Sequence, residues 1–202
     1  MIAIVDYGVG NLFSLRSSLA HLGLDAVVTA DPAVLRAADR IILPGVGGFG
    51  DAMAKLSATG LVPVIREEAR KKPLLGICLG MQLLFEKSDE YGEHAGLGFV
   101  PGEVCPLEPD LKDPSLKVPQ IGWNALHIVR DDPLFRYIRE GEYVYYVHSY
   151  YGRHCEASTL AVSDYSIPVT GVVRAGRVYG TQFHPEKSGD TGLRILKAFS
   201  EL

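Results

Sequence analysis

The sequence predicts an α/β fold built on a mostly parallel sheet. In the first half of the chain, short apolar runs alternate with segments whose apolar residues recur at helical spacing, which is typical of βαβ units. The second half is richer in strands, because apolar runs follow one another with Gly, Pro and Asp between them. A length of 202 residues fits one domain, and we expect it to span 1–202.

Four strands and four helices are predicted in the first half. Leu12, Leu15, Leu19 and Leu22 recur at the spacing of one helix face, directly after a compact apolar run. The same alternation continues to Cys78, which ends the fourth strand directly before the fourth helix. The predicted strands are 2–5, 26–28, 40–43 and 74–78, and the predicted helices are 12–22, 51–56, 62–71 and 79–85.

Six strands and one helix are predicted in the second half. Arg174-Ala175-Gly176-Arg177 is typical of a hairpin turn, and the charged, proline-containing segment 108–118 is typical of a surface loop. An amphipathic helix is expected over 189–199. The predicted strands are 96–107, 121–129, 143–150, 159–162, 169–173 and 178–183.

Composition excludes several functional classes. A net charge of −4 gives no electrostatic reason to expect binding to nucleic acid or to an anionic membrane. The first residues, MIAIVDYG, are not typical of a signal peptide. Cys78, Cys105 and Cys155 lack the spacing of a disulfide framework or a zinc site. We therefore expect a cytoplasmic protein with reduced thiols, no metal and no cofactor.

The strongest local motif is Gly76-Ile77-Cys78-Leu79-Gly80, where a predicted strand meets a predicted helix. A small-residue turn of this pattern is a nucleophile elbow, which exposes its central side chain above the sheet. The N-terminus of the following helix favours a thiolate, the attacking form of cysteine. The alternative for this motif alone is a buried, inert cysteine beside two packing glycines.

A second motif, His184-Pro185-Glu186, follows the last predicted strand. A cysteine nucleophile needs a base, and the base needs a group that orients it. Pro185 disfavours helix at His184, so that His184 and Glu186 can meet on one side of an extended segment. The alternative is a surface turn with two solvated side chains.

A third motif is the glycine-rich segment 44–50, PGVGGFG, after the third strand. Glycines let backbone N–H groups turn towards a ligand, and acyl transfer needs such donors for its oxyanion. The N–H groups of Val46 and Leu79 are the candidate donors. The alternatives are a plain strand-to-helix connection and a phosphate or dinucleotide loop. A dinucleotide loop at Gly8-Val9-Gly10 is disfavoured, because the third glycine of that motif is absent.

Together, PGVGGFG, GICLGMQLLFE and QFHPEKS resemble, in this order, the motifs of the class I glutamine amidotransferases. The resemblance implies a three-layer α/β domain with a largely parallel central sheet and an additional antiparallel portion. It implies that Cys78 attacks the glutamine side-chain amide, that His184 transfers the proton and that Glu186 orients His184. It also implies substrate contacts, for which the alternatives are a solvated helix residue and an ordinary strand end: Gly47, Gln82, Ser149 and Tyr150.

Three further segments resemble the glutaminase subunits of imidazole glycerol phosphate synthases, a subgroup of that family: DYGVGNL at 6–12, PQIGWN at 119–124 and YVHSY at 146–150. That subgroup often has His where Gln120 stands here. The resemblance implies a heterodimer with a (β/α)8 cyclase subunit, which uses the ammonia in histidine biosynthesis to make imidazole glycerol phosphate and an aminoimidazole carboxamide ribonucleotide. The residues implied at that interface are Gly8, Val9, Gly10, Asn11, Trp123, Tyr145 and Lys187.

One regulatory hypothesis and three alternatives follow from these motifs. The flexible peptide Gly45-Val46-Gly47 is expected to turn its donor into the oxyanion hole only when the partner is bound. The alternatives are a glutaminase that serves another synthase, a cysteine peptidase or related hydrolase on a similar sheet, and a scaffold subunit without chemistry.

Overall fold

A computed structural model describes residues 1–202 and contains six α-helices and fourteen strands. The helices are α1 (Leu12–His21), α2 (Pro32–Ala37), α3 (Phe49–Ala58), α4 (Val62–Glu68), α5 (Leu79–Gln82) and α6 (Gly189–Ser200). The strands of the first half are β1 (Ile2–Val5), β2 (Ala26–Thr29), β3 (Arg40–Leu43), β4 (Leu74–Ile77), β5 (Phe85–Ser88) and β6 (His94–Ala95). Those of the second half are β7 (Val100–Pro106), β8 (Gln120–Ala125), β9 (His127–Ile128), β10 (Tyr143–His148), β11 (Tyr150–Arg153), β12 (Thr159–Asp164), β13 (Pro168–Ala175) and β14 (Val178–Thr181).

The main sheet has eight strands in the order β2-β1-β3-β4-β14-β13-β12-β9. The five strands from β2 to β14 are parallel to one another, and the remaining pairs are antiparallel. Two smaller sheets stand beside it, one of β10 and β8 and one in the order β11-β7-β5-β6. The predicted α/β class, with a large parallel region and an antiparallel portion, is confirmed. None of the helices combines the length and apolar character needed to cross a membrane.

Side chains of the parallel strands alternate between two hydrophobic cores, one on each face of the sheet. In β1, Ala3 and Val5 join the core beneath α2, α3 and α4, whereas Ile2 and Ile4 join the core beneath α1 and α6. Both faces of these strands are therefore buried, which explains why they are continuous apolar runs rather than alternating ones. The helices on the two faces make the outer layers.

Helix α2 was not among the predicted elements, although its start carries a clear signal. The carboxylate of Asp31 accepts the N–H of Ala33 at 2.8 Å, and Pro32 occupies the first helical position. Asp followed by Pro is a favoured helix start, because Pro lacks an N–H that would be unpaired there. The helix has only six residues, so hydrophobic periodicity is too short to identify it.

Three predicted elements were wrong in extent. The helix predicted over 79–85 ends at Gln82, and Phe85 begins β5. The strand predicted over 121–129 is two strands, because β8 pairs with β10 whereas β9 joins the edge of the main sheet. The strand predicted over 143–150 is β10 followed by the start of β11, which belongs to another sheet. In each case a mostly apolar segment hides a change of partner, which is a tertiary constraint that local pattern does not contain.

The turn between β4 and α5 is packed against β3 without room for a side chain. A Cβ atom added to Gly80 would lie 1.9 Å from the carbonyl oxygen of Leu43, and one added to Gly76 would lie 2.5 Å from the carbonyl oxygen of Gly80. Any side chain at these two positions would clash with backbone atoms, so both positions require glycine. Their close packing fixes the backbone around Cys78.

His148, at the end of β10, is one of the few buried titratable side chains. Its Nδ1 lies 2.8 Å from the carbonyl oxygen of Tyr150, and its Nε2 lies 2.9 Å from Oε1 of Gln120. Burial lowers the pKa of His148 to about 4, the Tyr150 contact opposes this shift, and the charge of His184 adds to it. His148 is therefore uncharged at neutral pH.

Replacing Gly80 by Ala is expected to destabilise the fold by about 3 kcal/mol or more, since the new Cβ meets backbone that cannot move independently. Urea unfolding at pH 7.5 measures this change. Gly48→Ala is the matched control, because Gly48 has φ −87° and open space around its Cβ position. A cost for Gly80→Ala no larger than that of the control would contradict the packing described for this turn.

The free energy of unfolding is expected to fall on acidification through His148. Its folded pKa is lower than its ordinary value of 6.5, so the unfolded chain takes up the proton first. Stability present above pH 6.5 is then lost as pH falls towards 4, by about 2 kcal/mol between pH 7.5 and pH 5. Urea titrations at both pH values should show a smaller loss in His148→Gln, and equal losses in the two proteins would rule out this origin.

Candidate active site

The candidate site lies at the carboxyl ends of the parallel strands. Strands β1, β3, β4 and β14 end at Val5, Leu43, Ile77 and Thr181, and each of the predicted motifs begins within a few residues of one of these ends. In open α/β sheets, ligands bind in the crevice at this edge. The chain topology therefore brings motifs that are over 100 residues apart in sequence to one place.

Cys78 stands alone between β4 and α5 with an unusual backbone conformation. Its φ of 53° and ψ of −112° lie outside the regions that an ordinary L-residue occupies. Its N–H donates to the carbonyl of Thr181 at 2.7 Å, which ties the turn to β14. Such strain persists only where the surrounding structure enforces it, as Gly76 and Gly80 do here. The strained turn expected between this strand and this helix is therefore present.

His184 and Glu186 form a buried pair. Nδ1 of His184 lies 2.8 Å from Oε1 of Glu186, and both side chains are nearly inaccessible. Burial lowers the pKa of His184, but Cys78 and Glu186 outweigh burial and raise it above its ordinary value. Nε2 of His184 is buried and makes no hydrogen bond within the protein, so it is free to exchange a proton with another group.

A cavity of about 440 Å³ joins these groups. Cys78 and His184 both line it, and Glu186 lies behind His184. The cavity brings together the other predicted site residues around the same space: Val46, Gly47, Leu79, Gln82, Ser149, Tyr150 and Lys187. An elongated polar molecule with several heavy atoms fits this volume.

The glycine-rich segment after β3 forms one wall of the cavity. Gly47 has φ 96°, a conformation that disfavours other residues. The N–H of Val46 makes no hydrogen bond within the protein, and Leu79 is the first residue of α5, where N–H groups lack an intrahelical acceptor. Two free donors therefore flank Cys78. The hydroxyl of Tyr7 donates to the carbonyl of Pro44 at 2.6 Å and anchors the start of the segment.

Sequence reasoning missed Glu90, which also lines the cavity. Its Oε2 accepts the N–H of Phe49 at 2.6 Å, and its own N–H donates to Oγ of Ser88 at 3.2 Å. Burial raises the pKa of Tyr150, and the nearby charge of Glu90 adds to that shift; both residues line the cavity. A fixed carboxylate here suits a ligand ammonium group. No local motif surrounds Glu90 that could have identified it.

Of the residues predicted at a partner interface, Gly8, Trp123 and Lys187 are exposed, and the other four are partly buried. The Trp123 ring packs edge-on against Tyr145, with 5.7 Å between ring centroids. Asn11 caps α1 through a 3.3 Å contact from the N–H of Ser14, and Gly10 packs against Pro44. Two further apolar side chains near these positions in the chain, Phe13 and Ile121, are exposed, and so is Val46 at the cavity.

One cluster of possible metal ligands lies outside the cavity. Ligand atoms of Asp89, Glu103 and Cys105 are within 4.8 Å of one another. Glu103 is already paired with His154 at 2.8 Å and with Lys87 at 3.5 Å. These ion pairs give Glu103 a structural role without a metal.

Comparisons with known proteins identify the family to which this chain belongs. A family model described as glutamine amidotransferase class-I matches residues 3–201. Proteins named imidazole glycerol phosphate synthase subunit HisH are similar over the whole chain: that of Lacticaseibacillus casei is 49% identical, covering 100% of this chain and 96% of its own, and that of Wolinella succinogenes is 47% identical, covering 100% of both.

Solved structures share the fold at low sequence identity. A structure titled glutamine amidotransferase has a TM-score of 0.74 at 19% identity and covers 99% of this chain and 100% of its own. PurLQS from Thermotoga maritima has a TM-score of 0.73 at 19% identity and covers 99% and 97%. The family model and the full-length relatives together show that this chain belongs to the class I glutamine amidotransferases.

Proposed function

We propose that this protein hydrolyses the side-chain amide of L-glutamine to glutamate and ammonia through Cys78, His184 and Glu186. The observation that carries the proposal is a strained cysteine sharing a cavity with a buried histidine whose other nitrogen is held by a carboxylate. A cysteine nucleophile, its base and a group that orients the base are what acyl transfer requires.

In the first step, the Cys78 thiolate attacks the amide carbon, and the carbonyl oxygen becomes an oxyanion. The N–H groups of Val46 and Leu79 are suited to stabilise this charge, because such donors act where charge develops. His184, which carries the thiol proton on Nε2, donates it to the leaving nitrogen. The C–N bond breaks, ammonia leaves, and a glutamyl thioester remains on Cys78.

In the second step, water attacks the thioester and gives one proton to Nε2 of His184. The C–S bond breaks, and the sulfur recovers a proton from His184. The new carboxyl group releases the second proton of the water to solvent, and glutamate leaves. Glu186 stabilises the imidazolium in both steps through its contact with Nδ1. The raised pKa of His184 supports this proposal, because the cationic imidazole must persist long enough to donate.

The cavity lining supports an α-amino acid as the substrate. Glu90 offers a carboxylate for the ammonium group, while Gly47, Gln82, Ser149 and Tyr150 offer polar groups around the same space. We assign these residues to substrate binding. A glutamine bound in this way would be held at its side-chain amide, which reaches Cys78, and at its amino-acid end. Holding both ends favours a productive geometry.

We further propose that the ammonia is used by a separate (β/α)8 cyclase subunit, and that the two chains form an imidazole glycerol phosphate synthase in histidine biosynthesis. Full-length relatives carry that name at 47–49% identity. The exposed Trp123 and Ile121 on β8 support a protein partner at the carboxyl edge of the sheet, together with Gly8 to Asn11, Tyr145 and Lys187. The products of the complex would be imidazole glycerol phosphate and an aminoimidazole carboxamide ribonucleotide.

Cys78→Ala is expected to abolish glutamate release, because no other thiol lines the cavity. The rate should fall by at least about a thousandfold, as for the loss of other nucleophiles. Glutamate release from glutamine is measured with the cyclase subunit and its ligand present. Cys105→Ser is the control, since Cys105 is also buried but lies elsewhere, and should retain activity. Residual activity of Cys78→Ala near that of the control would contradict the proposal.

Glutamate release by the chain alone is expected to be at least about tenfold slower than in the complex, because the partner completes the oxyanion hole at Val46.

Trp123→Ala should weaken binding of the cyclase subunit by about tenfold, as the loss of a central aromatic anchor does. Titration calorimetry measures the affinity, with the exposed Val129→Ala as control. Full activity of the isolated chain would refute the gating, and unchanged affinity of Trp123→Ala would refute the interface.

A further inference from the structure

Gln182 is a completely buried polar side chain that contacts the Cys78 sulfur. Its Nε2 lies 3.9 Å from Sγ of Cys78, and its Oε1 accepts from Nε2 of Gln82 at 3.1 Å. Gln182 does not line the cavity. It therefore reaches the nucleophile from behind, from the interior of the protein, where it cannot touch the substrate.

The sulfur lies between an acceptor and a donor. On one side, the carbonyl oxygen of Val147 is 3.8 Å from Sγ and can accept only from the protonated thiol. On the other side, the amide of Gln182 can donate to either form, and it donates more strongly to the anion. The Val147 carbonyl thus favours the thiol, whereas the Gln182 amide adds to His184 and the start of α5 in favouring the thiolate.

A backbone carbonyl determines which end of the Gln182 amide faces the sulfur. The carbonyl oxygen of Tyr150 can only accept, so Gln82 must direct its NH2 group there, at 2.9 Å. The second hydrogen of that NH2 group goes to Oε1 of Gln182. With its oxygen engaged in this way, Gln182 must present its own NH2 group to Cys78.

We propose that Gln182 is a further catalytic residue, whose buried amide stabilises the Cys78 thiolate, and that Gln82 is the positioning residue that orients this amide. The inference rests on the proposed function, in which Cys78 is the nucleophile. Both residues act through hydrogen bonds that exist before substrate binds. Gln82 thus connects the wall of the cavity, at Tyr150, to the reacting sulfur.

The test is the pH dependence of Cys78 alkylation by iodoacetamide in the full chain, followed by mass spectrometry of the Cys78 peptide. In Gln182→Met, which keeps the side-chain length and removes the donor, the pH midpoint of alkylation should rise by about one unit, equivalent to about tenfold less thiolate at neutral pH. Gln182→Glu keeps an acceptor for Gln82 and replaces the donor by a negative charge, and its midpoint should rise at least as far.

Gln82→Leu provides an independent arm, because it leaves Gln182 intact and removes the group that orients it. Its alkylation midpoint should also rise, although Gln82 does not contact the sulfur. In the complex with the cyclase subunit, Gln182→Met should lower kcat by about tenfold and leave KM for glutamine within about twofold, since Gln182 lies outside the cavity.

The outcomes separate this inference from the proposed function. Wild-type alkylation midpoints in all three variants, with or without a lower thermal midpoint of unfolding, would assign Gln182 a packing role and overturn the inference. A wild-type complex that releases no glutamate would overturn the proposed function, whereas the alkylation shifts would still measure the effect of Gln182 on the thiolate.

Discussion

The close contact between the β4–α5 turn and the end of β3 is the constraint on which the site depends. The Leu43 carbonyl occupies the space where a Gly80 side chain would lie, and this contact leaves Cys78 in a conformation with φ 53°. A short peptide with the sequence of this turn, outside the fold, would relax that strain at once. The sheet hydrogen bond from Cys78 N–H to Thr181 prevents relaxation and, at the same time, brings the strand that leads to His184 alongside.

The electrostatic environment of the Cys78 sulfur follows from this placement. The sulfur is held where a histidine, an amide and a carbonyl meet, and each of the three is fixed by the main chain or by a buried partner. Glu186 holds His184, Gln82 holds Gln182, and β10 holds the Val147 carbonyl. In the reaction proposed above, little reorganisation is then needed as charge moves from sulfur to oxygen and nitrogen. Such preorganisation is the main source of rate enhancement in sites of this kind.

The sequence predicted the strand ends and the motifs that follow them, because both depend on local order: short apolar runs, glycines and the His184-Pro185-Glu186 turn. It did not predict Glu90 or Gln182, whose positions depend on which strands become neighbours. Gln182 looks like an ordinary strand residue until β14 pairs with β4 and puts it behind Cys78. The split of 121–129 into β8 and β9 has the same cause, since their pairing partners lie in distant segments.

The strand order of the main sheet also determines how this protein can associate with other chains. Its two outermost strands, β2 and β9, have only four and two residues. Short edge strands expose too few unpaired N–H and C=O groups to recruit another strand. Growth of the sheet by addition of a neighbouring molecule is therefore discouraged at both ends. At high protein concentration, the edges of the main sheet therefore contribute little to ladder-like assembly of successive molecules.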